Sequence, residues 1–242
     1  MRTPRAFAAA VAGHLLSPLV PSRKMLPFRY WLQRFGGECE PELLHLGKIC
    51  GSLGSAVDIG TNWGGYTYSL SKRFPRVYAF EINEEVTGWI RQYDGGNIEL
   101  VHCGLSSVAG TAKFYVPVAH GFSLTGWGSL NRDNLPGADK YIENDLRVAP
   151  LDDFGITGIG FMKIDVEGHE VEVLKGAAAT VRQSRPIILI EIKTEHLEIV
   201  DSWFLDLNYR HCRLEDFARV RGDQANHIYV PVERLTELGV DS

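Results

Sequence analysis

The 242-residue sequence predicts an α/β protein built on a doubly wound, mostly parallel sheet with a terminal antiparallel hairpin. Three observations predict it. From Ala56 onward, short apolar runs alternate with segments of helical spacing. The run PIILIEI that opens at Pro186 is continuously apolar, as a strand covered on both faces must be. Four such runs stop at a carboxylate, Asp58, Glu81, Asp165 and Glu191, so one edge of the sheet collects acidic groups.

Residues 1–54 form a helical prefix, and residues 55–242 form the main domain. Arg2 and Arg5 precede an Ala-rich run, Ala6 to Val20, that superficially resembles a signal peptide. Gly13, His14, Pro18 and Pro21 interrupt it and no small-x-small site precedes Arg23-Lys24, so we read an accessory or amphipathic helix that could touch a membrane surface peripherally. A helix is expected over Pro41–Cys50, with Pro in its first turn. The strand Ala56–Ile59, a turn at Gly64-Gly65, a helix over Tyr66–Phe74 and the strand Val77–Phe80 make a βαβ unit.

Next come a helix over Glu84–Tyr93, a strand over Ile98–His102 and a further strand over Thr111–Val116. Residues 117–144, punctuated by Gly121, Gly126, Gly128, Pro136 and Gly137, read as an irregular insertion covering an acceptor, with Phe122 and Trp127 as apolar walls. Order resumes at Asp145–Leu151, then the strand Gly160–Asp165 and a helix over Val166–Val181. A last helix, Glu195–Leu207, leads to the hairpin strands Tyr209–Arg213 and Asn226–Val230.

Composition narrows the function classes. The 25 basic and 30 acidic residues leave a formal charge of −5, so no global basic field points to nucleic acid or to an anionic membrane. Cys39, Cys50, Cys103 and Cys212 are widely spaced, without a metal-type cluster, and read as reduced thiols of a cytoplasmic protein; no metal is expected. No apolar run reaches the roughly 18 residues of a spanning helix.

The chemistry is concentrated between Ala56 and Glu81. Dinucleotide folds place G-x-G-x-x-G at this turn to approach a pyrophosphate. Here the pattern is D-x-G-x-x-x-G, from Asp58, Gly60 and Gly64. A carboxylate at the entrance repels pyrophosphate but suits a ligand with an ammonium group, such as the methionine end of S-adenosylmethionine. Glu81, at the end of the second strand, stands where an acid accepts hydrogen bonds from ribose hydroxyls. The competing account is an ordinary strand-to-helix turn whose glycines permit positive φ, with Asp165 and Glu191 capping helices or pairing with Lys163 or Lys193.

The motifs VDIGTNWGGYTYSL, VYAFEIN, APLDDF, FMKIDVEGHEVEVLKGA and IILIEI, in this order and spacing, resemble the FkbM-type S-adenosylmethionine-dependent methyltransferases over about Ala56 to Val230. The resemblance implies a class I methyltransferase, Rossmann-like sheet of seven strands in order 3-2-1-4-5-7-6. It also implies O-methylation of a hydroxyl on a glycan, lipid-linked sugar or secondary metabolite. On it, Asp58, Gly60, Thr61, Asn62 and Gly64 match the cofactor loop, Glu81 and Ile82 the ribose acid and its neighbour, and Cys103-Gly104-Leu105-Ser106 the adenine region, with Asp165 bordering the cofactor. No acid stands at that third-strand exit, so adenine would be held by backbone. Candidates for the catalytic base are Asp165, Glu191, His169 and Glu167. The alternatives are N-methylation of an amine, against which KIDVEG at the fourth strand lacks the polar-Pro-Pro-aromatic signature, and a non-catalytic S-adenosylmethionine-binding accessory protein. Oligomeric state is not encoded in any motif.

Overall fold

The computed structural model describes residues 15–51, 54–119, 122–123, 128–134 and 139–240. The prefix contributes α1 (Met25–Gly36), closed by Gly37 in the left-handed conformation at φ 72°, and two single turns, α2 (Pro41–Leu44) and α3 (Leu46–Ile49). The one helix expected over Pro41–Cys50 is thus divided at His45, whose φ is −111° and whose ring Nδ1 lies 2.8 Å from the Pro41 carbonyl, competing for a helical acceptor. The accessory helix expected over Ala6–Val20 falls largely outside the described residues.

β1 (Ser55–Ile59), α4 (Gly65–Ser71) and β2 (Val77–Glu81) are the expected βαβ unit. After β2 the expected helix over Glu84–Tyr93 is a 3-10 turn, Glu84–Val86, followed by α5 (Gly88–Gln92). The Thr87 hydroxyl donates to the Glu84 carbonyl at 2.9 Å, which divides the two. β3 (Ile98–His102) matches its expected bounds.

The next four strands leave the main sheet. β4 (Gly104–Leu105), β5 (Gly110–Ala119), β6 (Phe122–Ser123) and β7 (Lys140–Ala149) form a second sheet in order β4-β7-β5-β6. β5 and β7 pair antiparallel from Gly110↔Val148 to Val118↔Lys140. Both ends of the stretch read as irregular, 117–144, are therefore strand. The sequence of β7 hides this because it is largely solvated and carries no clean apolar alternation. Phe122 belongs to β6, and Trp127 lies outside the described residues.

β8 (Ile159–Ile164), α6 (Glu170–Gly176), α7 (Ala178–Ser184), β9 (Ile187–Glu191), α8 (Leu197–Asp206), β10 (Tyr209–Cys212) and β11 (Asn226–Pro231) complete the chain. The helix expected from Val166 starts only at Glu170, because Glu167 and Gly168 turn through positive φ, 52° and 91°. The main sheet runs β10-β11-β9-β8-β1-β2-β3. Numbered within that sheet alone, this is 3-2-1-4-5-7-6, the order implied by the resemblance. In the main sheet β3, β2, β1, β8 and β9 pair in parallel; β11 is antiparallel to both β9 and β10, giving the terminal hairpin.

Apolar layers cover both faces. On one, Tyr30, Leu43, Leu46 and Ile49 of the prefix pack with Leu70, Phe74, Phe161 and Leu189, so the prefix shares a core with the sheet. On the other, Val57, Met162, Ile188 and Ile190 meet Val173, Leu174, Val200 and Phe204. The alternation along β9, with Leu189 on the first face and Ile188 and Ile190 on the second, is that of a strand buried on both sides.

One glycine sets how closely α6 approaches β4. A Cβ on Gly176 would lie 2.0 Å from the Ser106 carbonyl oxygen and 3.1 Å from Pro150 Cα, both backbone atoms that cannot yield. In an open helix Gly→Ala gains up to about 1 kcal/mol. Here Gly176→Ala is expected to cost about 1–3 kcal/mol. Urea unfolding at constant m-value checks it, and a stabilised variant would show that the helix can shift outward.

Candidate active site

The carboxyl ends of β1, β2 and β8 open into a cleft roofed by the second sheet. Gly60, Asn62, Glu81, Ile82, Gly104, Leu105 and Asp165 line it together. Asp58 and Thr61 border an adjoining cavity on the prefix side, which shares Gly60, Asn62 and Asp165 with the cleft. Gly64 lines neither: it precedes α4 at φ 96°, and a Cβ there would meet Ile90 at 2.5 Å. Gly60, too, answers a packing need, since its Cβ would lie 1.7 Å from the Asp165 carbonyl. The loop glycines therefore let backbones close up around the cleft.

Glu81 is buried and takes the Asn62 N–H on Oε2 at 2.8 Å and the Asn83 N–H on Oε1 at 2.9 Å. Burial raises its pKa, with these amides opposing. Each oxygen keeps a second lone pair, so a diol can still donate to it. Asp58 is 1% exposed and accepts the Thr67 hydroxyl at 2.5 Å. Burial pushes it up to about 7, against the Thr67 hydrogen bond and the Lys163 charge.

Lys163 is the centre of charge here, and it is 1% exposed inside β8. Its Nζ lies 3.5 Å from Asp165 Oδ2, 3.3 Å from Asn226 Oδ1 and 5.1 Å from the Tyr66 ring centroid. Burial lowers its pKa, but Asp165, Glu40, Glu191 and Asp58 more than reverse that, so it stays a cation. Asp165 does pair with Lys163, as the competing account allowed, while still lining the cleft. Glu40 of the prefix accepts from the Tyr66 hydroxyl at 2.7 Å and from Asn226 Nδ2 at 3.0 Å. Glu40 and Asn226 are site neighbours that no motif announces, and Tyr66 lies within VDIGTNWGGYTYSL without a role of its own there. A lone lysine within GFMKID was their one signal, because an ionised group in a doubly covered strand must find partners.

The loop after β8 is held from both sides. The Ser129 hydroxyl donates to the Glu167 carbonyl at 2.8 Å, and buried Glu170 accepts the Gly168 N–H at 2.6 Å. Ser129 is also bridged to Tyr115 of β5, and a Cβ on neighbouring Gly128 would strike the Phe114 ring at 2.1 Å. Phe114, Ser129 and Leu130 thus form the roof of the cleft, a role the loop composition did not disclose.

The four candidate bases part company. Glu167 borders both the cleft and a third cavity, which Glu191 and Lys193 also line. Burial and the Asp165 charge raise the Glu167 pKa. Burial and the same Asp165 charge push Glu191 up to about 8. His169 lines none of these cavities; its Nε2 is 2.9 Å from the Ser106 hydroxyl, and burial lowers its pKa. Among the described residues no group of three or more His, Cys, Asp or Glu side chains is arranged to hold a metal ion.

Comparison with known proteins agrees with this architecture. A curated relative, the hexuronic acid methyltransferase AglP of Haloferax volcanii, is 29% identical over 141 residues, covering 56% of this chain and 54% of that protein. The chain thus spans about half the length of the curated relative it matches. Among solved structures, methyltransferase FkbM from Methylobacillus flagellatus KT superposes with a TM-score of 0.51 at 19% identity, covering 90% of this chain and 60% of that one. A precorrin-6y C5,15-methyltransferase from Geobacter metallireducens GS-15 gives 0.45 at 14% identity, over 78% of this chain and 85% of its own. The profile of the methyltransferase FkbM domain matches residues 58–211, more than half of the sequence, and the chain belongs to that family.

Proposed function

We propose that the protein transfers the methyl group of S-adenosylmethionine to a hydroxyl oxygen of a sugar-type acceptor. The observation that carries the reading is the convergence of Gly60, Asn62, Glu81, Ile82, Gly104, Leu105 and Asp165 on one cleft. The residues fit such a ligand. Glu81 has acceptor capacity left for a ribose diol, and Asp58, held near a pKa of about 7 by burial, suits a cationic neighbour that would ionise it. Close approach at Gly104, where a Cβ would meet Ile82 at 2.6 Å, leaves only a thin backbone edge beside an adenine. When bound, S-adenosylmethionine supplies an electrophilic methyl on a sulfonium.

The chain's own residues orient the acceptor and take its proton. Orientation is worth on the order of 7–11 kcal/mol when reacting atoms are aligned. Glu167 is the base in this reading: it borders both the cleft and the third cavity, and burial and the Asp165 charge raise its pKa. Asp165, paired to Lys163, fixes the strand end that presents it. The acceptor would occupy the third cavity, whose carboxylates, Glu191 and Glu195 among them, suit hydroxyl donors. Lys193 there would meet an acceptor carboxylate, in keeping with the hexuronic acid in the name of the Haloferax volcanii relative.

Three outcomes test the reading. Calorimetry should show S-adenosylmethionine or its demethylated product binding, with Glu81→Ala weaker by about 1.5–3 kcal/mol; binding of NAD instead would end it. In methyl-transfer assays on hexuronate glycosides, Glu167→Gln should lower kcat at least about tenfold with cofactor affinity kept, while His169→Ala stays near wild type. The reverse pattern makes histidine the base. Because Asp58 has a folded pKa of about 7 against 3.8 for an unperturbed aspartate, it holds its proton through that window and contributes stability that fades as pH rises from about 4 to 7. A bound cation would expel that proton, so cofactor titrations near pH 6 in buffers of different ionisation enthalpy should report proton release, and Asp58→Asn should remove it.

A further inference from the structure

We propose that the prefix is a membrane-docking face that seats the protein on an anionic lipid surface. The inference is independent of the reading above and rests on charge segregation joined to exposed apolar groups. No Asp or Glu precedes Glu38, although the chain as a whole carries a formal charge of −5. Within the described prefix, Leu15, Leu16 and Leu19 are 65%, 46% and 79% exposed, and on α1 Trp31 and Phe35 are 58% and 64% exposed. These are five of the eleven large apolar side chains that are exposed among the described residues, gathered in a stretch of 21 positions.

Trp31 and Phe35 stand one turn apart, so they share a face of α1, while Leu26 and Tyr30 on the other side are buried in the core. Arg34 packs its guanidinium 5.7 Å from the Trp31 ring centroid, and Arg23 and Lys24, exposed in the turn that packs against α1, stand at the other end of that helix. An apolar ridge with an indole, flanked by cations and free of carboxylates, matches the interfacial zone of a bilayer. Trp and Phe enter the headgroup and acyl boundary, and Lys and Arg reach lipid phosphates. A second copy of the chain is a poorer occupant, since a twofold contact would set these cations against their own mates. The acidic excess of the remaining chain repels such a surface and would turn the body away from it.

The docked face lies next to the chemistry. Gln33, on α1, and Glu38, Cys39 and Glu40 just beyond it line the cavity that shares Asp165 with the cleft. Docking would therefore hold that cavity close to the bilayer interface.

Flotation of the full chain with phosphatidylcholine vesicles, with and without phosphatidylglycerol, tests the proposal. Partition onto the anionic vesicles should exceed that onto neutral ones at least about tenfold and fall as salt is raised. The variant Arg23→Ser/Lys24→Ser/Arg34→Ser should lose roughly fivefold per cation. Trp31→Ser/Phe35→Ser should lose at least about tenfold. Thermal melts identify any variant that unfolds, in which case the single changes Lys24→Ser and Trp31→Ser are read instead. Absence of binding to anionic vesicles, or binding unchanged in the variants, overturns the proposal. So does a dimer that Trp31→Ser/Phe35→Ser splits without any vesicle binding by the wild type, which would make the face a contact between copies.

Discussion

The buried ammonium of Lys163 is the constraint around which the site is arranged. A cation 1% exposed in a central strand is untenable alone, and it is stabilised here by Asp165 at the end of its own strand, by Asn226 of β11 and by the field of Glu40, Glu191 and Asp58. The arrangement works in both directions. Four carboxylates gathered on one sheet edge would repel one another; burial first, and then that repulsion, raises Asp58 and Glu191, and the fixed cation opposes the shift at both. Removing Lys163 would leave the acids without their common counter-ion; removing any one acid would leave the cation weaker but still held.

Around that centre, close backbone approach does the shaping. Gly60 against Asp165, Gly128 against Phe114 and Gly176 against Ser106 bring the β1 loop, the roof and α6 nearer than any side chain would allow. Ser129, bridged to Tyr115 of β5, then joins the roof to the loop after β8 through its hydroxyl on the Glu167 carbonyl. Glu167 at φ 52° is thereby held in a conformation that non-glycine residues rarely adopt, with Glu170 accepting the next amide.

Much of this was legible beforehand, for physical reasons that differ by element. β1, β2, β8 and β9 are mostly apolar, because both faces are covered, and their expected bounds agree with the observed ones within about a residue. The strand order came from the motif set. What escaped was decided by tertiary contacts. β7 is too polar to read as a strand and exists because β5 pairs with it along nine residues. The helix starts at Glu170 and not Val166 because the site needs Glu167 and Gly168 in a turn. Glu40 and Asn226 have no motif, since their roles arise only when the two ends of the chain meet over Lys163.

That last meeting has a temporal side. Asn226 donates to Glu40 across 186 positions of sequence, and the Asp223 N–H donates to Glu42 across 181. Contacts of such separation close late, after the local βαβ units have formed. During synthesis, β1 and β8 leave the ribosome well before β11 does, so the nascent sheet must carry Lys163 with only part of its neutralising shell until the final hairpin arrives. The strand that supplies Asn226 therefore acts as the closing latch of assembly, and a ribosome stalled ahead of it would hold a domain whose central charge still faces open water.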